Sequence, residues 1–445
     1  MQKKTSYSSD FLKSLNIIGL TETEIRSIAY RTGFIKRVPK KIDAPDFLAN
    51  ICSLSCISSP SYNNLASHFH VSLGISASKQ AFWKKVNGSC VVFFQAILEQ
   101  LIKSKICNEK ISILKNITAY KRILVQDSTI IKLPYGLFDS YSGVSNQHSA
   151  VCNARIQGIY DLISGSFVSF SIDSYSKNDF AAAPEIELRE GDLVLRDRGY
   201  YINDEIKRHV GVGADCIYRY KHKTTFSDMI TGNPINLLEE LEKKQKLDIT
   251  VKLNNKDKTA VRLVAFPVSE EVANTRRMKA KRDCRKHNMS EEALKLMSWT
   301  IFITTIPEAE ASFDDLLAIY GLRWRIEIIF KVWKSNMSFA KVHNVSENQL
   351  KVLLISRFIM IVISAGAIYR HYYSEIREKR HKYLSIMKLT NYLILNQKMI
   401  FRCIISIRHE INTDEFVVSS LAKYCTYDTR KRLNYNQLFE KIFLS

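Results

Sequence analysis

The stretch Tyr320-Gly-Leu-Arg-Trp-Arg-Ile-Glu-Ile-Ile-Phe-Lys-Val-Trp-Lys334 sets a few charged residues into an apolar surround, in a chain of 445 residues. Its spacing predicts one helix. At about 100° per residue, Tyr320, Arg323, Glu327 and Lys334 fall within roughly 60° of one another, with Lys331 beside them. Trp324, Ile326, Ile328, Ile329, Phe330, Val332 and Trp333 occupy the other faces, and only Arg325 breaks them. A helix buried nearly all round, with one polar line, faces a cavity or a ligand. The alternative is a core helix whose basic side chains reach out to water while Glu327 pairs with Arg323 four residues away.

Composition narrows what that ligand is. Sixty-five Lys and Arg against 44 Asp and Glu leave a net charge of +21. Such a surplus costs self-repulsion in the folded state and points to a polyanionic partner. The basic residues are spread along the chain with no amphipathic anchor, which favours nucleic acid over a membrane surface. The one apolar stretch of spanning length, 352–369, is interrupted by Ser356 and Arg357 and predicts a core helix rather than a membrane segment. Nine Cys, among them Cys52, Cys56, Cys107, Cys216 and Cys403, show no paired metal-ligand spacing and predict buried free thiols in a reducing cytosol. The opening Met-Gln-Lys-Lys-Thr-Ser lacks an apolar signal core, so no export is expected.

Residues 1–115 read as helical. Thr21 to Glu24 has the form of a capping box, and 91–103 makes an apolar helix. Residues 62–86, two short helices about Gly74, have helix-turn-helix proportions, with Ser78, Lys79, Gln80, Lys84 and Lys85 offered to DNA; a helical hairpin of purely structural role fits the same pattern.

Strand signals begin at Lys121. Ile123-Leu-Val125 reads as a buried strand that ends at Gln126-Asp127-Ser-Thr. Residues 154–163 and 166–173 predict a hairpin about Ser164-Gly165, with Val168, Phe170 and Ile172 alternating against polar neighbours. A helix is expected over 184–189. A second buried strand, from Asp192, delivers Asp197-Arg-Gly-Tyr200, and a helix at 203–208 and a strand at 214–220 follow. Residues from about 224 to 297 are polar and basic, with an antiparallel pair at 247–253 and 260–266. The run Arg276, Arg277, Lys279, Lys281, Arg282, Arg285, Lys286 follows that pair and suits either a DNA-facing surface or a solvated helix face. Trp299 to Thr305 returns to an apolar strand.

Asp127, Asp197 and Glu327 together have the make-up of a carboxylate cluster for metal-assisted phosphoryl displacement. On these residues the chain resembles the DDE transposases of bacterial insertion sequences marked by a YREK signature, the insertion sequence four family. Tyr320, Arg323, Glu327 and Lys334 meet the signature's spacing. Asp197-Arg-Gly-Tyr200 matches the second-aspartate motif, and Asp127-Ser-Thr is similar to the first. The resemblance covers about residues 1–370 and fades beyond.

The resemblance implies an α/β fold: a ribonuclease H-like mixed-sheet catalytic core at 116–370 with a β-rich insertion at about 224–297. An all-helical DNA-binding domain at 1–115 precedes it, and a helical C-terminal region at 371–445, with a possible role in dimerisation, follows. It implies catalysis and metal binding by Asp127, Asp197 and Glu327, with Mg²⁺ as cofactor, two ions per site and Mn²⁺ able to substitute. DNA contacts are expected from Tyr320, Arg323, Lys331, Lys334, Arg198, Arg276, Arg277, Lys281 and Arg282, and from Trp299 as an aromatic stacking on an extruded base. The expected partners are the element's inverted-repeat ends, target DNA and a second copy of the chain, in the bacterial cytoplasm at the nucleoid and with no membrane. A DNA-binding repressor or inactive relative, or a host nuclease on the same fold, are the alternatives. Strand joining separates transposase from nuclease, and metal-dependent cutting separates both from a binder.

Overall fold

The computed structural model describes residues 7–56, 58–104, 120–143, 151–177, 181–283, 289–339, 342–408, 414–428 and 433–444. The chain divides into two compact units, one of residues 1–118, 128–184 and 324–445, the other of residues 119–127 and 185–323.

The second unit is built on a mixed sheet. Its strands are β1 (Arg122–Lys132, which crosses into the first unit at Ser128), β4 (Asp192–Arg196), β5 (Asp215–Arg219), β6 (Phe226–Asp228), β7 (Pro234–Ile235), β8 (Leu247–Leu253), β9 (Ala260–Pro267) and β10 (Trp299–Thr304). Their order is β1-β4-β5-β10-β9-β8-β6-β7. β1, β4 and β5 run parallel, and every later pairing is antiparallel. The continuous apolar reading of the first strands is explained by this: Ile123, Leu124, Val125, Leu193, Val194 and Leu195 are all fully buried. The insertion is no detached module. Its strands extend the same sheet outward from β10, over a core that includes Leu241, Val251, Leu263 and Ile303.

The first unit is mainly helical, with an antiparallel hairpin of β2 (Asn153–Asp161) and β3 (Ser166–Ser174) that turns at Gly165, whose φ is 68°. The side chain that Gly158 lacks would lie 2.8 Å from the Phe167 ring, so only glycine admits that ring. The capping box at Thr21 forms as expected, with Glu24 and Thr21 exchanging hydrogen bonds at 2.7 and 3.2 Å. Continuous helix runs from Glu347 to Arg380 through a π-helical stretch at Val362–Tyr369. It is long and apolar enough to cross a membrane, yet 94% of its most apolar window is buried inside the protein. Arg357, which interrupts that stretch in sequence, is fully buried and donates to the Ser55 carbonyl at 2.8 Å, closing the end of helix Ala44–Ser55. The seven described cysteines are free and buried, and Cys107 lies outside the described residues.

Four expectations are corrected. Tyr320 to Lys334 is not one helix: Phe313–Gly321 ends, Leu322 and Arg323 close on Ile319 and Tyr320 by tight three-residue hydrogen bonds, and Trp324–Asn336 begins anew. Nor is it apolar-buried all round, since Trp324 and Ile328 are 59% and 39% exposed whereas Arg325 is 1% exposed. Residues 184–189 form no helix, because the backbone there is claimed by side chains: Arg122 takes the Glu187 carbonyl at 2.8 Å and Asp192 the Arg189 N–H at 2.8 Å. β3 shows no alternation, as Val168, Phe170 and Ile172 are all half-buried like their polar neighbours.

Candidate active site

β1 and β4 bring the two aspartates into line. Their last paired residues are Gln126 and Arg196. One step further along the same register sets Asp127 beside Asp197, on neighbouring strands about 5 Å apart. Asp127 was expected at a strand end, but β1 continues to Lys132, and what ends at Asp127 is only the pairing with β4. Both carboxylates are half-buried and both are engaged from the turn at 320–323. The Arg323 guanidinium, buried itself, donates to Asp127 Oδ2 at 3.2 Å. The Tyr320 hydroxyl donates to Asp197 Oδ1 at 3.3 Å. Burial, and after it the Asp197 charge, raise the Tyr320 pKa well above that of a free phenol, so Tyr320 stays a protonated donor. Its ring rests on Phe302 of β10 at 5.0 Å, and Arg323 lies over it at 5.6 Å.

Behind β4 lies a polar network that reading the sequence did not identify. Arg196, which points away from Asp197 by strand alternation, donates to Glu205 at 2.8 Å and to the Tyr218 hydroxyl at 3.2 Å. His209 is 3.2 Å from the same hydroxyl. Burial first, then the Arg196 charge, push the His209 pKa down to about 3, so the ring is neutral. Glu205 and His209 are four residues apart on helix Asn203–Val212, the one signal that could have revealed them. The network braces the turn after Asp197, where the Tyr200 N–H returns to the Asp197 carbonyl at 3.0 Å. Arg198 in that turn is exposed.

The remaining expected residues are distributed as follows. Glu327 lies half-buried in the first turn of helix Trp324–Asn336, in the first unit. Lys331 is exposed, and Lys334 is half-buried with its pKa lowered by that burial. Trp299 opens β10, packs against the sheet core and donates its indole N–H to the Gln245 carbonyl at 3.0 Å. Arg276 and Arg277 turn inward: Arg276 holds the Trp299 carbonyl and Thr300 Oγ1, each at 3.0 Å, and Arg277 holds Ser298 and Glu270. Lys281 and Arg282 are exposed, and Arg285 and Lys286 lie outside the described residues.

Among the described residues no three His, Cys, Asp or Glu side chains are gathered as a ready metal cage. The donor chemistry of the paired aspartates nevertheless fits a hard divalent cation, since both offer carboxylate oxygens, the donors such cations prefer.

With the sheet, the paired acids and the Tyr-Arg turn in place, the class is defined by comparison. Residues 119–363 match the model of the transposase DDE domain family, more than half of the chain, and the chain belongs to that family. The family generally uses divalent metal ions.

Curated relatives are transposases of insertion sequences. The chain is 28% identical to the transposase for insertion sequence element IS231E of Bacillus thuringiensis subsp. finitimus, over 79% of this chain and 78% of that one. It is 26% identical to the transposase for IS1151 of Clostridium perfringens, over 95% of this chain and 92% of that one. The latter similarity therefore runs past residue 370, where the resemblance was expected to fade. Among solved structures, the piggyBac transposase synaptic complex with hairpin DNA aligns over 95% of this chain and 87% of that one, at 9% identity and a TM-score of 0.46, too loose a likeness to define a fold.

Proposed function

We propose that this chain is a transposase that binds the ends of an insertion sequence, cuts DNA there and joins the 3′ ends to target DNA by metal-dependent phosphoryl transfer. The observation that carries the reading is the in-register pair Asp127 and Asp197 where the parallel pairing of β1 with β4 ends, held by Arg323 and Tyr320. The parallel run β1-β4-β5 and the antiparallel hairpin β2-β3 support a ribonuclease H-like core.

Asp127, Asp197 and Glu327 would hold the divalent cation, Mg²⁺ with Mn²⁺ able to substitute and two ions per site. Once bound, the cation supplies Lewis-acid stabilisation of the attacking and leaving oxygens of an in-line displacement. The chain's own groups do the rest. Tyr320 keeps an Asp197 oxygen oriented by donating its proton. Arg323, a planar fork, and Lys334, a point charge, neutralise phosphates of the DNA end, as do Lys331 and Arg198. Lys281 and Arg282 track the backbone of flanking DNA, and Trp299 stacks on an unpaired base once its edge is uncovered. The active complex contains two copies of the chain, and it works in the cytoplasm at the nucleoid.

The test is purified protein with Mg²⁺ and a linear duplex carrying the inverted repeats that flank its own gene. Cleavage at the repeat ends and covalent joining of the released 3′ ends to a second duplex are expected. Binding without cutting would mark a repressor, and cutting without joining a nuclease.

A further inference from the structure

Asp197 stands where the sheet stops holding its own strand. β4 ends at Arg196, and the pairings of Arg196 with Gln126 on one side and Tyr218 on the other are the last in each ladder. Asp127 differs, because β1 runs on to Lys132. The residues on either side of Asp197 are therefore what fix its backbone, and they meet at Tyr218. Arg196, before it, donates to the Tyr218 hydroxyl at 3.2 Å and lies over the Tyr200 ring at 5.9 Å. Tyr201, after it, stands T-shaped to the Tyr218 ring at 5.8 Å and donates to Asn203 Oδ1 at 2.8 Å.

The proton order behind Asp197 follows from these contacts. Burial raises the Tyr218 pKa well above that of a free phenol, so the hydroxyl keeps its proton. Its oxygen accepts from Arg196, and its proton is left to point at His209 Nε2, 3.2 Å away. Neutral His209 then carries its own proton on Nδ1. Glu205 accepts from Arg196 at 2.8 Å and from Arg208 at 2.7 Å. One chain of donors thus runs from Arg196 through Tyr218 to His209, each link in a single orientation.

Stability does not account for this network. Arg196 is 3% exposed, and His209 and Tyr218 are fully buried, in a core that also holds Ile206 and Cys216. Arg196 Nε and His209 Nδ1 have no hydrogen-bond partner among the described residues. A buried ion pair is often no more stabilising than apolar side chains of the same volume, and a buried donor without a partner adds a cost. What the polar groups supply instead is direction, since a guanidinium fork and a hydroxyl hold one geometry where apolar packing tolerates several.

We infer that Arg196, Glu205, His209 and Tyr218 are positioning residues for Asp197. From behind the sheet they fix the turn that aims its carboxylate, while the Tyr320 hydroxyl holds one of its oxygens directly. Altering the residues that orient a metal ligand commonly weakens metal binding about ten- to a hundredfold. The inference rests on the reading of Asp197 as a cation ligand, and D197A tells the two apart.

The experiment titrates Mn²⁺ into the full chain without DNA, follows the bound ion by electron paramagnetic resonance, and takes D197A as the baseline. Y218F removes only the hydroxyl, and R196M/E205M replaces the ion pair by apolar side chains of similar length. Titrations run well below each melting temperature, so that a weaker ion reports on the folded site. Both variants should melt near the wild type, yet bind the D197A-sensitive ion about ten- to a hundredfold more weakly. In cleavage, raised Mg²⁺ should bring Y218F back toward the wild-type maximum, whereas no Mg²⁺ concentration should restore D197A. Should R196M/E205M fail to fold, Y218F decides alone. Wild-type Mn²⁺ affinity in Y218F overturns the inference, whether or not its melting temperature falls. A wild type that binds Mn²⁺ no better than D197A refutes the cation-ligand reading itself, and the positioning role with it.

Discussion

Replacing Arg325 by alanine should destabilise the first unit by about 3 kcal/mol and lower cleavage as well. The side chain is 1% exposed, donates to the Tyr369 hydroxyl at 2.9 Å and the Tyr427 hydroxyl at 3.3 Å, and lies over the Tyr435 ring at 4.3 Å. Hydrogen bonds from a charged donor contribute about 1.5–3 kcal/mol each, and the cation over an aromatic ring about 0.5–2 kcal/mol. Relief of a desolvated charge offsets several kcal/mol of that sum, which leaves a net near 3. Met at 325 fills the volume without the charge and should cost roughly 1 kcal/mol, because well-packed apolar replacements of buried charges are often nearly neutral. Tyr427 and Tyr435 come from the C-terminal region, so this region braces the helix that carries Glu327, two residues on. Urea unfolding followed by the emission of buried Trp333, on the same helix, reads the first unit. A loss below about 1 kcal/mol for alanine, or equal losses for alanine and Met, would refute the tyrosine cage as the helix's anchor.

His209 predicts a pH dependence. Its folded pKa of about 3 lies below the ordinary 6.5, so the unfolded chain takes up a proton first as pH falls, and stability declines below about 6.5. The loss should reach about 2 kcal/mol at pH 5, and H209Q should flatten this part of the profile. Arg276→Ala should lower the melting temperature of the second unit with little change in DNA affinity, while K281A/R282A should do the reverse; calorimetry with a binding titration distinguishes them. Arg323→Ala and Lys334→Ala should each reduce the salt slope of end binding by about one unit, and an unchanged slope would return both to purely structural roles.

Much of this was legible from local pattern. The buried runs 123–125 and 193–195, the Gly165 hairpin and the 247–266 pair each carry a period or a turn that physics reads without neighbours. The misreadings are tertiary. In Tyr320 to Lys334 only Gly321 hints at the break at Leu322, and helical periodicity continues across it. Arg325 reads as a solvent-seeking cation until Tyr369, Tyr427 and Tyr435, distant in sequence, surround it. Residues 184–189 look helical until Arg122 and Asp192 take their backbone groups. Arg276 and Arg277 look like phosphate ligands in a charge run, and only the position of β10 shows what they hold.

The most direct test of the central claim is cleavage by the single variants D127A, D197A and E327A in Mg²⁺, each assayed beside binding to the same inverted-repeat duplex. All three should lose cleavage while binding stays within a few-fold of wild type, because a lost carboxylate leaves the phosphate contacts in place. Near wild-type cleavage by any one of them would contradict the assignment of that acid, and by D127A or D197A it would contradict the paired-aspartate site itself.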